Sequence, residues 1–145
     1  MLDGMIKTKL KIINSESGSV MHALKKLDNG FSKFGEIYFS TIRHNSVRAW
    51  KLHKKMTSNL IVPSGEILFC FFDDRKNSST KNEFYYTILS KDLYFRLTVP
   101  PGIWFGFKGL GKSQNIACNI SDLIHDPKEI LRKDLNEINF DWSLK

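Results

Sequence analysis

The spacing of turns constrains this chain more than any other feature. Pro63-Ser64-Gly65, Ser90-Lys91-Asp92 and Pro100-Pro101-Gly102 each separate two short apolar runs, and no helix can run through the last of them. The runs at 35–42, 59–63, 66–72, 83–89, 94–99, 103–107 and 116–120 are rich in aromatic and branched residues, which suit a pleated surface. Residues 6–13 alternate lysine with apolar residues and read as an edge strand, followed by a turn in SESGS. Residues 20–27 fit a helical turn and a short strand equally well. Asp126-Pro127 predicts a short helix through Leu131, with Asp126 as its cap. Residues 135–142 alternate loosely and read as a further edge strand. About eight to ten short strands with minimal helix predict an all-β chain, a closed barrel or two stacked sheets, in a single domain over residues 1–145.

Composition excludes several classes. With 145 residues, 41% hydrophobic and 26% charged, the chain can bury a core and is not of the disordered type. No apolar run approaches the roughly 18–20 residues that span a bilayer, and lysines interrupt the first residues where a signal-peptide core would lie. No membrane partner is expected, and the expected location is cytoplasmic. Cys70 and Cys118 sit in strand-like runs without metal or redox spacing, as buried reduced thiols do. The net charge of +7 suits an anionic partner. No helix-turn-helix, zinc finger or long basic helix is present, so a phosphorylated small molecule is favoured over nucleic acid.

The basic residues are densest around His53, which Trp50, Lys51, Lys54 and Lys55 flank. An imidazole with a pKa near neutrality is a natural general base, and cations beside it suit a phosphate or a developing oxyanion. A metal site needs a His-x-His pair and a third ligand. His53 stands alone, and His22, His44 and His125 have no ligand spacing to it, so no metal is expected. GLGKS at 109–113 lacks the phosphate-loop spacing and reads as a hairpin loop.

In order along the chain, GEIYFS (35–40), WKLH (50–53), DDR (73–75), VPPGIWFGF (99–107) and HDPKEILRKD (125–134) resemble the successive motifs of the dTDP-4-dehydrorhamnose 3,5-epimerase family. The resemblance covers most of the chain. It implies a cupin, or jelly-roll, β-barrel that forms a homodimer, with a metal-free, cofactor-free site inside the barrel and a nucleotide-sugar substrate. It implies that His53 removes a proton α to the ketone of a nucleotide-linked 4-keto-6-deoxysugar, with Asp134 as the carboxylate that orients it. It implies substrate-binding roles for Lys51, Lys55, Arg75, Tyr38, Trp50 and Asn119.

The departures are specific. Trp50 replaces the family's arginine three residues before the histidine, and Phe105 replaces its second active-site histidine. The family's general-acid tyrosine should fall near Cys118 or Asn119, where there is none. The leading expectation is an epimerase or isomerase of surface-polysaccharide sugar biosynthesis. The alternatives are a catalytically inactive cupin that binds a nucleotide sugar or glycan, and a nucleic-acid-binding β-barrel.

Overall fold

A computed structural model describes residues 1–144. Twelve strands follow in chain order: β1 (Ile6–Lys9), β2 (Ile12–Ser15), β3 (Gly18–Met21), β4 (Glu36–Ile42), β5 (Val47–His53), β6 (Ser58–Ser64), β7 (Glu66–Asp73), β8 (Phe84–Ser90), β9 (Phe95–Val99), β10 (Ile103–Gly109), β11 (Asn115–Ser121) and β12 (Ile130–Arg132). One five-stranded sheet runs β1-β9-β6-β11-β4, a second runs β12-β5-β10-β7-β8, and β2 and β3 form a separate hairpin. The pairings between named strands are antiparallel. The two sheets face each other as a jelly roll, the all-β class that the turn spacing predicts.

Alternation within each strand builds three layers of packing. Between the sheets lie Leu60, Val62, Ile67, Phe69, Phe71, Leu97 and Phe105. Outside the second sheet, Trp50, Leu52, Cys70 and Trp104 are covered by Ile138, Phe140 and Trp142 of the C-terminal segment. Outside the first sheet, Ile61, Cys118 and Ile120 are covered by Leu10, Ile12, Met21 and Leu24. Fully buried Arg96 holds that cover in place, donating to the carbonyls of Ala23 and Asn29 and to the Asp28 carboxylate.

Three local expectations are corrected. The strand expected at 6–13 breaks at Leu10, because β1 joins the first sheet while β2 turns away to pair with β3. The helix expected from Pro127 through Leu131 is a single 3-10 turn, Pro127–Glu129, after which β12 pairs with β5. The edge strand expected at 135–142 is a 3-10 turn, Leu135–Glu137, followed by an irregular segment lying across the sheet face. Among the described residues, no helix is long and apolar enough to cross a membrane.

Candidate active site

His53 ends β5, and its side chain is 4% exposed. Its Nδ1 lies 2.7 Å from Glu129 Oε2. Glu129 comes from the 3-10 turn that follows Pro127, and that turn brings it back against β5. The other Glu129 oxygen accepts the backbone N–H groups of Lys55 at 2.7 Å and Met56 at 2.9 Å. The carboxylate is therefore fixed by three donors. The second imidazole nitrogen, Nε2, is buried without a hydrogen-bond partner. The ring stacks on Phe105, with centroids 6.1 Å apart.

Burial lowers the His53 pKa most, the Glu129 hydrogen bond opposes that, and nearby Lys51 lowers it further. The net shift is downward, so the imidazole is neutral at pH 7. Glu129 behaves in the opposite way. Burial works against its charge, but the bonds from His53, Lys55 and Met56 prevail and hold the carboxyl below its usual range. A carboxylate on Nδ1 assigns the proton to that nitrogen and leaves Nε2 with the free lone pair.

Beside Phe105, on which His53 stacks, lies a cavity of about 440 Å³, a size typical of small-molecule sites; His53 itself is not among its lining residues. Its apolar wall is Leu60, Phe69, Phe105, Phe107 and Ala117, and its polar wall includes Tyr38, Ser40, Arg48, Lys51, Asn119 and Arg132. Lys51 Nζ sits 3.4 Å from the Tyr38 hydroxyl and 5.9 Å from the centroids of both Tyr38 and Phe105. Asn119 Nδ2 donates to the same hydroxyl at 2.9 Å. Tyr38 belongs to the first sheet and Lys51 to the second, so a phenol and an ammonium face the cavity from opposite walls.

Of the residues expected at the site, Lys51, Tyr38 and Asn119 come together at the cavity, and His53 stacks on Phe105 of its wall. The carboxylate on His53 is Glu129, not Asp134, which is exposed and caps the Leu135–Glu137 turn. Arg75 is also corrected. Its Nε and Nη2 both bond Asp73, and Nη2 also donates to the Asp3 carbonyl, so it ties the 74–83 loop instead of lining the cavity. Burial opposes the charge on Asp73, but Arg75, Ser78 and Thr80 hold its carboxyl well below the usual range. The Lys55 side chain lies in a separate groove on the other side of Glu129, with Lys33, Lys54 and Lys128. Trp50 borders the cavity, but its indole packs outward at 5.4 Å from Trp142 and donates to the Leu135 carbonyl. It is not available as a stacking platform.

Glu129, Arg48 and Arg132 are the residues that the sequence reading missed. Arg48 reaches the cavity because β5 bulges: Lys51 opposes Phe105 and Arg48 opposes Phe107, so Ala49 and Trp50 together face Gly106. Only glycine fits there, since a Cβ on residue 106 would stand 2.4 Å from the Ala49 Cβ. An arginine thus reaches the cavity from position 48, whereas the Trp50 indole packs outward. Among the described residues, no three His, Cys, Asp or Glu side chains gather as a metal site requires.

No family model matches the chain. A dTDP sugar isomerase from Desulfovibrio desulfuricans G20 is 35% identical, with a TM-score of 0.93 over 98% of this chain and 92% of that one. A dTDP-4-dehydrorhamnose 3,5-epimerase from Bacillus anthracis str. Ames, with TDP and PPi bound, is 21% identical. It shares the fold at a TM-score of 0.84, over 98% of this chain and 86% of that one. The spore coat polysaccharide biosynthesis protein SpsL of Bacillus subtilis (strain 168) is 23% identical over 147 residues, 99% of this chain and 97% of that protein.

Proposed function

The chain belongs to the family of dTDP-sugar isomerases and 3,5-epimerases, and from that premise we propose the chemistry of its site. It is a sugar-nucleotide epimerase or isomerase. Its substrate is a nucleotide-linked 4-keto-6-deoxysugar, with the sugar in the cavity and the diphosphate against Arg48 and Arg132. His53 Nε2 takes the proton α to the ketone, and the C–H electron pair passes into the enolate. Lys51 holds the enolate oxygen, where a fixed charge in a closed site acts most strongly. The Tyr38 hydroxyl, aligned by Asn119, returns a proton to the opposite face. His53 then passes its proton, through solvent, to the tyrosine oxygen. Tyr38 thereby fills the role of the tyrosine absent near Cys118. Residues 1–145 act as one catalytic domain, and the protein works in the cytoplasm as a homodimer in surface-polysaccharide sugar synthesis.

The observation that carries this reading is the buried Glu129–His53 pair, whose Nε2 has no partner. The test is NMR of dTDP-4-keto-6-deoxyglucose with the protein in deuterated water. Deuterium should enter at C3, C5 or both, and entry should cease in His53→Ala. Tight binding by calorimetry without exchange would instead assign the chain to the non-catalytic, nucleotide-sugar-binding cupins.

A further inference from the structure

A groove of about 610 Å³ lies across Glu129 from His53. Lysines enter it from three segments: Lys33 ahead of β4, Lys54 and Lys55 after β5, and Lys128 in the 3-10 turn. Its carboxylates are Asp122, Asp126 and Glu129, and each is committed elsewhere. Asp122 accepts the Thr57 N–H at 2.8 Å and the Ser32 hydroxyl at 3.1 Å. Asp126 accepts the Lys128 N–H at 2.9 Å. Glu129 accepts from His53, Lys55 and Met56. Among the described residues, none of the four lysines forms an ion pair. The ammonium groups are left to the groove.

The walls are tied to each other within the chain. The Lys54 N–H donates to the Glu129 carbonyl at 2.9 Å, and Lys54 Nζ donates to the Lys128 carbonyl at 2.6 Å. With the two N–H groups on the Glu129 carboxylate, four bonds join the link after β5 to the turn. A ligand spanning them therefore orders little backbone. The chemistry of the lining selects the ligand. An ammonium is a compact point charge that suits phosphate oxygens, whereas planar carboxylates favour arginine. Among the described residues, no arginine lines the groove. Its volume is that of a small-molecule site and suits a diphosphate with an organic substituent, for which Leu123 and Ile124 supply apolar surface.

We infer that this groove is a second anion site, which takes a diphosphate between Lys55 and Lys128, and that Glu129 carries its presence to His53. The inference rests on the Glu129–His53 pair of the function proposed above and concerns the control of that pair, apart from the sugar cavity. The charged and titratable groups that face His53 are Glu129, Lys51 and His125, and of these only Glu129 lines the groove. An anion there stands behind the carboxylate and adds to its negative field, so it favours imidazolium over imidazole. Protonated His53 cannot take the proton α to the ketone. Occupancy of the groove is therefore inhibitory, as suits control by a diphosphate-bearing product.

Calorimetry of the full chain with inorganic pyrophosphate, paired with an NMR titration of the His53 ring, tests this. The double variant Arg48→Ala/Arg132→Ala first removes the arginines of the sugar cavity. Pyrophosphate should still bind it, and adding Lys128→Glu should weaken that binding at least about tenfold. Saturating pyrophosphate should move the His53 titration to higher pH, and Lys128→Glu should remove the shift. A repeat with dTDP distinguishes the sources: tighter binding than pyrophosphate assigns the groove to a nucleotide, equal binding to free diphosphate. Binding that vanishes with the two arginines, or that ignores Lys128→Glu, would overturn the groove as a site. A His53 titration that bound pyrophosphate leaves in place would overturn the link through Glu129. Neither readout uses turnover, so failure of the epimerase reading shows separately, as absence of deuterium exchange. Lys55→Gln decides the question if Lys128→Glu fails to fold.

Discussion

Glu129→Gln isolates the role of the carboxylate with little change of shape. Glu129 Oε1 accepts two backbone N–H groups, from Lys55 and Met56, so a glutamine must keep its carbonyl there. The flipped rotamer would aim its NH₂ at two donors and forfeit both bonds, at about 1–3 kcal/mol each. The amide N–H therefore faces His53 Nδ1, turns that nitrogen into an acceptor and moves the ring proton to Nε2. The base then has no lone pair where substrate binds. Turnover should fall by about 10³–10⁴, or about 4–5.5 kcal/mol of barrier, with KM nearly unchanged. Deuterium incorporation at saturating substrate measures this directly. The pH profile gives an independent reading. The Glu129 charge raises the His53 pKa, so its removal should shift the acid limb of kcat/KM to lower pH. A glutamine variant within tenfold of wild type, or a limb displaced upward, would refute the orienting role of Glu129.

Tyr38→Phe should retain deuterium entry from the His53 side and lose at least about 10² in inversion, and full epimerisation by this variant would remove Tyr38 as the donor. Arg48→Ala and Arg132→Ala should each weaken dTDP binding about tenfold, with a shallower dependence on salt, whereas Trp50→Phe should leave affinity unchanged; calorimetry at two ionic strengths separates them. Acid should destabilise the fold in two stages. His53 has a folded pKa below its unfolded value of 6.5, so its contribution is intact above that pH and erodes as pH falls. Glu129, also lowered, contributes above its unfolded 4.5 and is lost as pH falls through the folded value. Melting temperature should therefore begin to drop below about pH 6.5, and His53→Gln should abolish the first stage. Arg96→Met should cost about 3 kcal/mol, because it strands Asp28 and two carbonyls beneath the 23–29 loop; urea unfolding measures it.

Strand content was legible because turn residues and β-branched runs act locally. The central stretch, with His53 at a strand end, was legible for the same reason, and Tyr38, Lys51 and Asn119 followed from motif position. The rest depends on non-local geometry. Glu129 lies 76 residues from His53, and both it and Asp134 fall in the motif at 125–134, so only the 3-10 turn after Pro127 decides between them. The pairing of Pro127 with Glu129 inside that turn was the one available signal. Arg75 is a strand-end cation by sequence, but the buried Asp73 beside it claims the guanidinium. Residues 135–142 alternate because alternate side chains face the aromatic sheet surface. Such alternation reports what a segment lies on, not what it hydrogen-bonds to.

The extra residue in β5 bears on how this strand tolerates changes of length. Deleting Ala49 would straighten the backbone opposite Gly106 and still leave Arg48, Lys51 and His53 facing inward. Inserting one residue between Lys51 and His53 would swing the imidazole to the outer face and away from Glu129. The strand thus has a single expansion joint. On one side of it the cavity-lining Arg48 can shift in numbering, while on the other the imidazole is held to a fixed count from Lys51.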